Sequence, residues 1–296
     1  MIRIQVKPAR LLALINAADA GWIKAAKTRT QQYKVAQDYT GGTEFWGRIK
    51  RVYINLQHEK CAYCETKLQG ADLASKVHEV EHFRPKSSLK AWPDRKRSYW
   101  RDFPSSIPTG AADAKGYYLL AYHPFNYAIA CTRCNSTLKS NYFPIRGKRN
   151  VKLSDPSDDA KEDCLLLYPL STVADNPRSF ITFDGVLAVP RIKSGKKYER
   201  AVTTIWFFQL NHEDLTSRRA EMLVPLWTTL EHLRVETDAA ARKEYEDFVD
   251  MVCSARGQFS ACMSAFRELY LQDRARAKAK YSEARAVMMR SMAPTP

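Results

Sequence analysis

Two cysteine pairs constrain this chain more than any other feature of its sequence. Cys61 and Cys64 form one C-x-x-C pair, Cys131 and Cys134 form another, and 66 residues separate the two. Each pair can present two thiolates to a single tetrahedral ion, so together they predict a four-sulfur zinc site, which is structural because it leaves no position for water. A redox-active dithiol is the alternative for either pair alone. The sequence thus predicts a structural zinc site, and any catalytic chemistry must come from other residues.

The remaining cysteines and the hydropathy indicate a globular protein of a reducing compartment. Cys164, Cys253 and Cys262 have no paired spacing and are interpreted as small buried hydrophobic residues. Seven cysteines without an export signal favour metal ligation over a disulfide framework. No apolar run approaches the ~20 residues that cross a bilayer, so we expect a cytoplasmic protein.

The charge of the chain favours a polyanionic partner. Lys and Arg number 47 against 32 Asp and Glu, which gives a formal net charge of +15. Such an excess promotes association with nucleic acid, although a basic surface also serves solubility. No GxxxxGK phosphate loop occurs, so we do not expect the chain to hydrolyse nucleotides by itself.

Periodicity predicts a mainly helical α+β protein with four regions. Residues 1–60 form an N-terminal helical region, with helical patterns over 9–39 and from Thr43 to His58. Residues 61–150 form the functional core and contain a basic insertion at 83–125. Residues 151–197 carry a loop and a hairpin turning at Asp184-Gly185, and 198–296 form a C-terminal helical region of about four helices. Short strands are predicted in "MIRIQV", "VHEVEHF" and "LLLYP".

The core combines the cysteine pairs with a second constellation of polar residues. "EVEHF" at 79–83 precedes "NYAIACTRCNSTLK" at 126–139, so an acid-His pair, an asparagine and C-x-x-C-Asn follow the first cysteine pair in order. This arrangement resembles that of the HNH nucleases, whose ββα core binds one divalent metal ion. More distal segments, "CLLLYPLSTVADNPRSFITFDGVL" and "TIWFFQLNHEDLTSRRAEML", resemble the HNH subunit of Septu-type and retron-linked anti-phage systems.

The resemblance assigns roles by position. His82 matches the general base, Glu81 the neighbouring acidic metal ligand, Asn126 the asparagine that steadies the histidine, and Asn135 the second metal ligand. It implies a zinc-stapled ββα-metal core flanked by helices, Mg²⁺ or Mn²⁺ as the catalytic ion, and an ABC/SMC-like ATPase as partner. Glu in place of the more usual Asp is a departure from the HNH pattern.

Elementary chemistry supports the same residue types. Phosphodiester hydrolysis needs a base for the attacking water and positive charge near the phosphate. Histidine is mostly neutral at cellular pH, and Glu81 and Asn135 offer hard oxygen ligands that suit Mg²⁺. Strand alternation places Glu81 and His82 on opposite faces unless the strand ends there, and it leaves Glu79 as a competing acid. His123 is a rival base, but its place before Pro124 indicates a loop residue that packs near the site.

Basic residues around this constellation are candidates for substrate binding. Lys139 falls one helical turn after Asn135, where it can hold a phosphate, and a solvated helix charge is the alternative. The stretch 83–101 interleaves basic residues with aromatic ones, a composition typical of backbone contact and base stacking. Trp92 and Trp100 either stack on bases or anchor the loop to the core. The candidates in this stretch are Arg84, Lys86, Arg95, Lys96 and Arg97.

The sequence therefore favours a metal-dependent HNH endonuclease that cleaves DNA or tRNA. A noncatalytic zinc-ribbon protein that binds nucleic acid explains the cysteines and the charge, but it leaves Glu81, His82, Asn126 and Asn135 without a role. An interaction subunit that acts through its helical C-terminal half is a third possibility, compatible with nuclease activity.

Overall fold

The N-terminal region is built from three helices. The computed structural model describes residues 1–68, 79–156, 162–168, 170 and 176–292. Helices α1 (Pro8–Ala18) and α2 (Trp22–Ala36) replace the single helical stretch predicted over 9–39, because the Asp19 carboxylate accepts the Gly21 N–H and turns the chain. The next helix is shorter than predicted: a 3-10 turn, Trp46–Ile49, leads into α3 (Lys50–Leu56).

The central region contains two short strands and a short helix. Strand β1 (Glu79–His82) pairs antiparallel with β2 (Tyr127–Ala130), so that His82 lies opposite Tyr127 and Glu79 opposite Ala130. Helix α4 (Arg133–Lys139) follows β2 and closes with a wide, π-type hydrogen bond from the Ser140 N–H to the Asn135 carbonyl. The strand predicted in "VHEVEHF" is confirmed over Glu79–His82, while Val77 and His78 lie outside the described residues.

The chain between β1 and β2 contains three 3-10 turns, each of a single turn. They lie at Ser98–Trp100, Tyr118–Leu120 and Pro124–Asn126. The predicted strand in "MIRIQV" is reduced to an isolated bridge of Ile4 with Leu170. The described residues of "LLLYP" form no strand, and only the preceding Cys164 makes a bridge, with Ile145. These segments are apolar because they are buried, so their composition alone did not distinguish a strand from irregular core packing.

The distal region comprises a hairpin and a helical array. A 3-10 turn, Pro177–Ser179, leads into β3 (Ile181–Asp184), which pairs with β4 (Leu187–Pro190) through the predicted turn at Asp184-Gly185. Five helices follow in the described residues where about four were predicted: Pro225 lies inside one long helix without ending it, but the chain breaks instead at 236–238 and again at Asp273. They are α5 (Gly195–Phe207), α6 (Glu213–Val235), α7 (Ala239–Cys253), α8 (Ser260–Gln272) and α9 (Arg274–Met292).

One hydrophobic core runs through these regions. Helix α6 packs against α7, α8 and α9, while α3 packs on β2, and α5 contacts both β4 and the turn at Ser98–Trp100. Aromatic side chains bridge the insertion to the distal helices: Trp100 is fully buried and donates its indole N–H toward the Trp206 carbonyl. The described part of the chain is a mainly helical α+β fold, as predicted, and it contains two small antiparallel sheets.

Candidate functional site: a cysteine cluster beside a strand with histidine and glutamate

The four predicted cysteines meet in one cluster. All four Sγ atoms lie within 4.8 Å of one another, and those of Cys64 and Cys131 are 3.8 Å apart. Zinc–sulfur bonds of about 2.3 Å in tetrahedral geometry place the sulfurs about 3.8 Å apart, so the cluster has the dimensions of a four-thiolate metal site. Three of the four side chains are buried, and Cys164, Cys253 and Cys262 stay outside the cluster, as predicted.

The first cysteine knuckle is attached to the outer edge of β2. The Ala62 N–H donates to the Ile129 carbonyl at 3.0 Å. Gln57 completes this edge, since its side-chain amide accepts from the Ile129 N–H and donates to the Ile129 carbonyl, each at 2.8 Å. The second knuckle ends directly at Asn135. A metal held by both knuckles therefore fixes β2 and the first residues of α4.

One face of β1 lies against α4. Glu79 and Glu81 are two residues apart in the strand, so both side chains lie on that face. The helix presents Asn135 and Lys139, one turn apart, to them. The Asn135 Nδ2 donates to Glu79 Oε2 at 2.9 Å, while the Lys139 Nζ lies 3.2 Å from Glu81 Oε1. The amide predicted to share a metal with Glu81 is thus hydrogen bonded to Glu79 instead.

The Glu81–Lys139 pair is internal. Glu81 is 4% exposed and Lys139 fully buried. Burial raises the pKa of Glu81 to about 7, although the Lys139 charge opposes the rise, and burial lowers the pKa of Lys139. The lysine expected to hold a phosphate therefore neutralises a buried carboxylate, and its Nζ also lies 3.4 Å from the His82 carbonyl oxygen.

His82 ends β1 on the opposite face, as strand alternation predicts. Its Nε2 lies 3.0 Å from the Ala121 carbonyl oxygen, which can only accept, so Nε2 carries the proton and Nδ1 keeps its lone pair. Trp46 and Tyr127 pack edge-to-face on the imidazole, with ring centroids 4.6 and 5.1 Å away. Burial, with the Lys86 charge, lowers the pKa of His82 to about 3. The imidazole is therefore neutral and fixed in one tautomer.

Asn126 joins the chain segments that flank His82. Its Nδ2 donates to the Arg84 and Leu120 carbonyls at 3.0 and 3.1 Å, and its Oδ1 accepts from the Arg84 N–H at 2.8 Å. The side chain is fully buried with its hydrogen-bonding groups satisfied. It holds together the end of β1 and the turn that provides the acceptor for His82.

The basic residues predicted to bind substrate divide into buried and exposed groups. Arg84 is 1% exposed and its Nε lies 3.2 Å from Glu162, so it is a core residue and not a surface contact. Lys86 stays partly exposed, with its Nζ 4.7 Å from the Trp46 ring centroid. Arg84 and Lys86 differ in exposure because Arg84 lies in the core, where its backbone is hydrogen bonded to the Asn126 side chain.

The insertion itself is anchored to the core. Arg97 donates to the Thr137 carbonyl at 2.8 Å and to Tyr99, and Arg95 donates to the Phe103 carbonyl at 3.2 Å. Lys96 is exposed. Trp92 and Trp100 are 3% and 0% exposed, which decides between the two interpretations: both anchor the loop.

His123 and Trp46 have roles that the sequence did not reveal. His123 Nδ1 accepts the Phe125 N–H at 3.2 Å and so caps the 3-10 turn that carries Asn126. Trp46 belongs to the predicted helical stripe, but its ring contacts His82. Trp46 differs from the other aromatic residues of this stripe because it is only partly buried, and the degree of burial cannot be read from the sequence.

Comparison with known proteins points to one kind of relative. The chain is 28% identical over 217 residues to the Septu protein PtuB of Bacillus mycoides (strain KBAB4), an alignment that covers 70% of this chain and 65% of that protein, just under two thirds of its length. It is 36% identical over 66 residues to the Septu protein PtuB of Bacillus thuringiensis, covering 21% of this chain and 24% of that protein. The expected resemblance to Septu proteins is thereby supported.

Other comparisons gave no match. No family model and no solved structure matches the chain. Among the described residues, no helix combines the length and the apolar character needed to span a membrane.

Proposed function

We propose that this chain is a metal-dependent HNH-type endonuclease and the nuclease effector of a Septu-type anti-phage system, working with an ABC/SMC-like ATPase. The observation that carries the proposal is His82: a neutral imidazole with a defined tautomer, at the end of a strand whose other face bears oxygen donors. The similarity to Septu protein PtuB supports the defence role. The substrate we propose is DNA or tRNA.

The side chains on the face of β1 opposite to His82 fit a hard divalent cation. Glu79 and Asn135 present a carboxylate and an amide within 2.9 Å of each other, and the Asn135 hydrogen bond uses Nδ2, which leaves its carbonyl oxygen available. Glu81 Oε1 is buried beside Lys139 without a well-aligned hydrogen bond. Oxygen donors of this kind suit Mg²⁺ or Mn²⁺, whereas the four thiolates suit zinc. We assign the catalytic ion to Asn135 with Glu81, and Glu79 is the alternative carboxylate.

The histidine geometry defines the proton transfer. A water molecule at Nδ1 of His82 loses its proton to that nitrogen as it attacks phosphorus. The imidazolium formed keeps its Nε2–H on the Ala121 carbonyl, whose partial negative charge stabilises it. When bound, the divalent ion supplies positive charge for the phosphate and the leaving oxygen. Trp46 and Tyr127 pack on the ring and restrict its rotation, and Asn126 holds the turn that provides its acceptor.

The test compares two histidine variants. His82→Ala should abolish Mg²⁺-dependent cleavage of supercoiled plasmid or total tRNA, assayed with and without candidate ATPase partners, because no other group replaces Nδ1. His123→Gln, the matched control, should still cleave, since His123 caps a turn. Circular dichroism of both variants checks folding. Undiminished cleavage by His82→Ala contradicts the assignment of the base, and tight binding without cleavage by the wild type favours a noncatalytic nucleic-acid-binding protein.

A further inference from the structure

Lys86 is a predicted substrate cation that stays partly exposed and whose charge acts on His82. Arg84 and Lys139 are at most 1% exposed and face the carboxylates of Glu162 and Glu81. The Lys86 side chain is 23% exposed, and its charge contributes, after burial, to the lowered pKa of His82. Of the three, Lys86 is therefore the one that an incoming phosphate can reach.

The Lys86 ammonium is held by the segment that joins α2 to the turn at Trp46. Its Nζ lies 5.2 Å from the Tyr39 ring centroid and 4.7 Å from that of Trp46, distances typical of cation–π contacts. Glu44 Oε1 is 3.6 Å from the same Nζ. The ammonium therefore already has an anion and two aromatic faces from its own chain.

The segment 37–45 is fixed in place, so Glu44 is presented to Lys86. The Tyr39 hydroxyl donates to Glu44 Oε1 at 2.7 Å. The Tyr33 hydroxyl donates to the Gly41 carbonyl at 3.2 Å, and the Trp22 indole N–H donates to the Phe45 carbonyl at 3.2 Å. Glu44 is nevertheless 49% exposed, and ion pairs at such exposure are weak and readily displaced.

We propose that Glu44 is an intramolecular competitor for the substrate: its carboxylate occupies the anion position at Lys86 that a nucleic-acid phosphate takes during binding. The proposal rests on the proposed nuclease function and adds regulation of the same site. Displacement of Glu44 frees the Lys86 ammonium, which lies over the Trp46 ring beside His82, for the phosphate. A carboxylate serves as a phosphate mimic because both are compact oxyanions that an ammonium binds as a point charge.

The test measures binding without cleavage. In a His82→Ala background and without divalent ions, Kd is measured for a single-stranded DNA, a duplex DNA and a deacylated tRNA. Glu44→Gln keeps the size of the side chain and its acceptor for Tyr39 but removes the charge, so it should lower Kd about two- to five-fold at low salt. Lys86→Met should raise Kd and reduce the slope of log K against log salt by about 1. Glu44→Gln added to Lys86→Met should then change nothing.

Asp247→Asn is the matched control, because it also removes one exposed carboxylate paired with a lysine, Lys243, on α7. If Asp247→Asn lowers Kd as much as Glu44→Gln does, the effect is one of net charge and the proposal is overturned. It is also overturned if Glu44→Gln leaves Kd unchanged, if its effect persists with Lys86→Met, or if none of the three probes binds. If His82→Ala abolishes cleavage but Glu44→Gln does not change Kd, only the proposal that Glu44 competes with substrate is refuted. If His82→Ala leaves cleavage unaffected, only the assignment of the nuclease base is refuted.

Discussion

At the scale of single residues, the site depends on side chains that hold others in place. The His82 ring is fixed by one carbonyl and two perpendicular aromatic rings. Behind it, Lys139 contacts both the Glu81 carboxylate and the His82 carbonyl. Such supporting groups restrict the rotamers of a reactive side chain before substrate arrives, which reduces the entropy lost on reaching the reactive geometry.

The buried pair should be costly to break from one side. Lys139→Met removes the partner of the buried Glu81, which must then be buried as an unpaired carboxylate or take up a proton, so the free energy of unfolding should fall by up to about 3–5 kcal/mol. Adding Glu81→Gln should recover much of this loss, because a neutral amide tolerates burial better than a charge does. Urea denaturation of the wild type and both variants measures the effect, and a loss below about 1 kcal/mol for Lys139→Met would mean that Glu81 is already neutral.

His123 should make stability depend on pH. Burial lowers its pKa below 6.5 in the folded chain, and Asp155 only partly opposes the shift. The unfolded chain therefore binds a proton first as the pH falls, so this contribution to stability is full above about pH 6.5 and declines below it. His123→Gln should flatten the dependence of the unfolding free energy between about pH 7.5 and 5.5. An unchanged slope would exclude His123 as its source.

At the scale of elements, a strand of four residues and a helix of seven carry most of the site. Their short length is compensated by cross-links: Gln57 pairs with one edge of β2, and the cysteine cluster holds the start of α4. The chain after β1 is clamped as well, because the Tyr117 N–H donates to the Pro85 carbonyl at 2.8 Å. Close backbone approach at this clamp requires a glycine.

Gly116 should therefore not tolerate a side chain. A Cβ there would lie 2.4 Å from the Ser87 nitrogen and 2.6 Å from the Pro85 oxygen. Gly116→Ala should force these backbones apart, lower the free energy of unfolding by about 1–3 kcal/mol and displace Lys86. Gly47→Ala is the control, because no heavy atom lies within 4 Å of its added Cβ. Thermal unfolding compares the two, and equal Tm values would contradict the clamp.

The sequence predicted the elements better than the contacts among them. Cysteine spacing, strand alternation and the Asp184-Gly185 turn are local patterns, and the corresponding features form as expected. The pairing of Lys139 with Glu81 and of Arg84 with Glu162 depends on which charges become buried together. Burial is decided by tertiary packing, so the sequence could not separate these internal cations from surface ones such as Lys96.

At the scale of the whole molecule, the cysteine cluster connects the central region to the distal helices. Tyr63, inside the first knuckle, stacks on Phe208 at 3.9 Å between ring centroids. The Lys60 ammonium next to this knuckle donates to Glu65, to the Gly257 carbonyl and to Ser260, at 3.1, 2.7 and 3.0 Å. All three ammonium hydrogens thus have acceptors, two of them at the start of the α8 region.

Loss of the metal should therefore unfold more than the knuckles. We expect about one zinc per chain by elemental analysis, and Cys61→Ser or Cys134→Ser should lose folded protein, because zinc ligation contributes directly to folding free energy. Cys253→Ser, outside the cluster, should keep both zinc and fold. Near-ultraviolet circular dichroism during chelation should report loss of distal packing. A folded, metal-free wild type would refute the structural zinc.

The Lys60 contacts also bear on the order of events during synthesis. Two of its acceptors, Gly257 and Ser260, follow it by about 200 residues, and domains generally fold as their residues leave the ribosome. Until α8 has emerged, a lysine that belongs in the core lacks two of its partners, which opposes closure of the first knuckle. A nascent or truncated chain that lacks α8 should thus be unable to assemble the site.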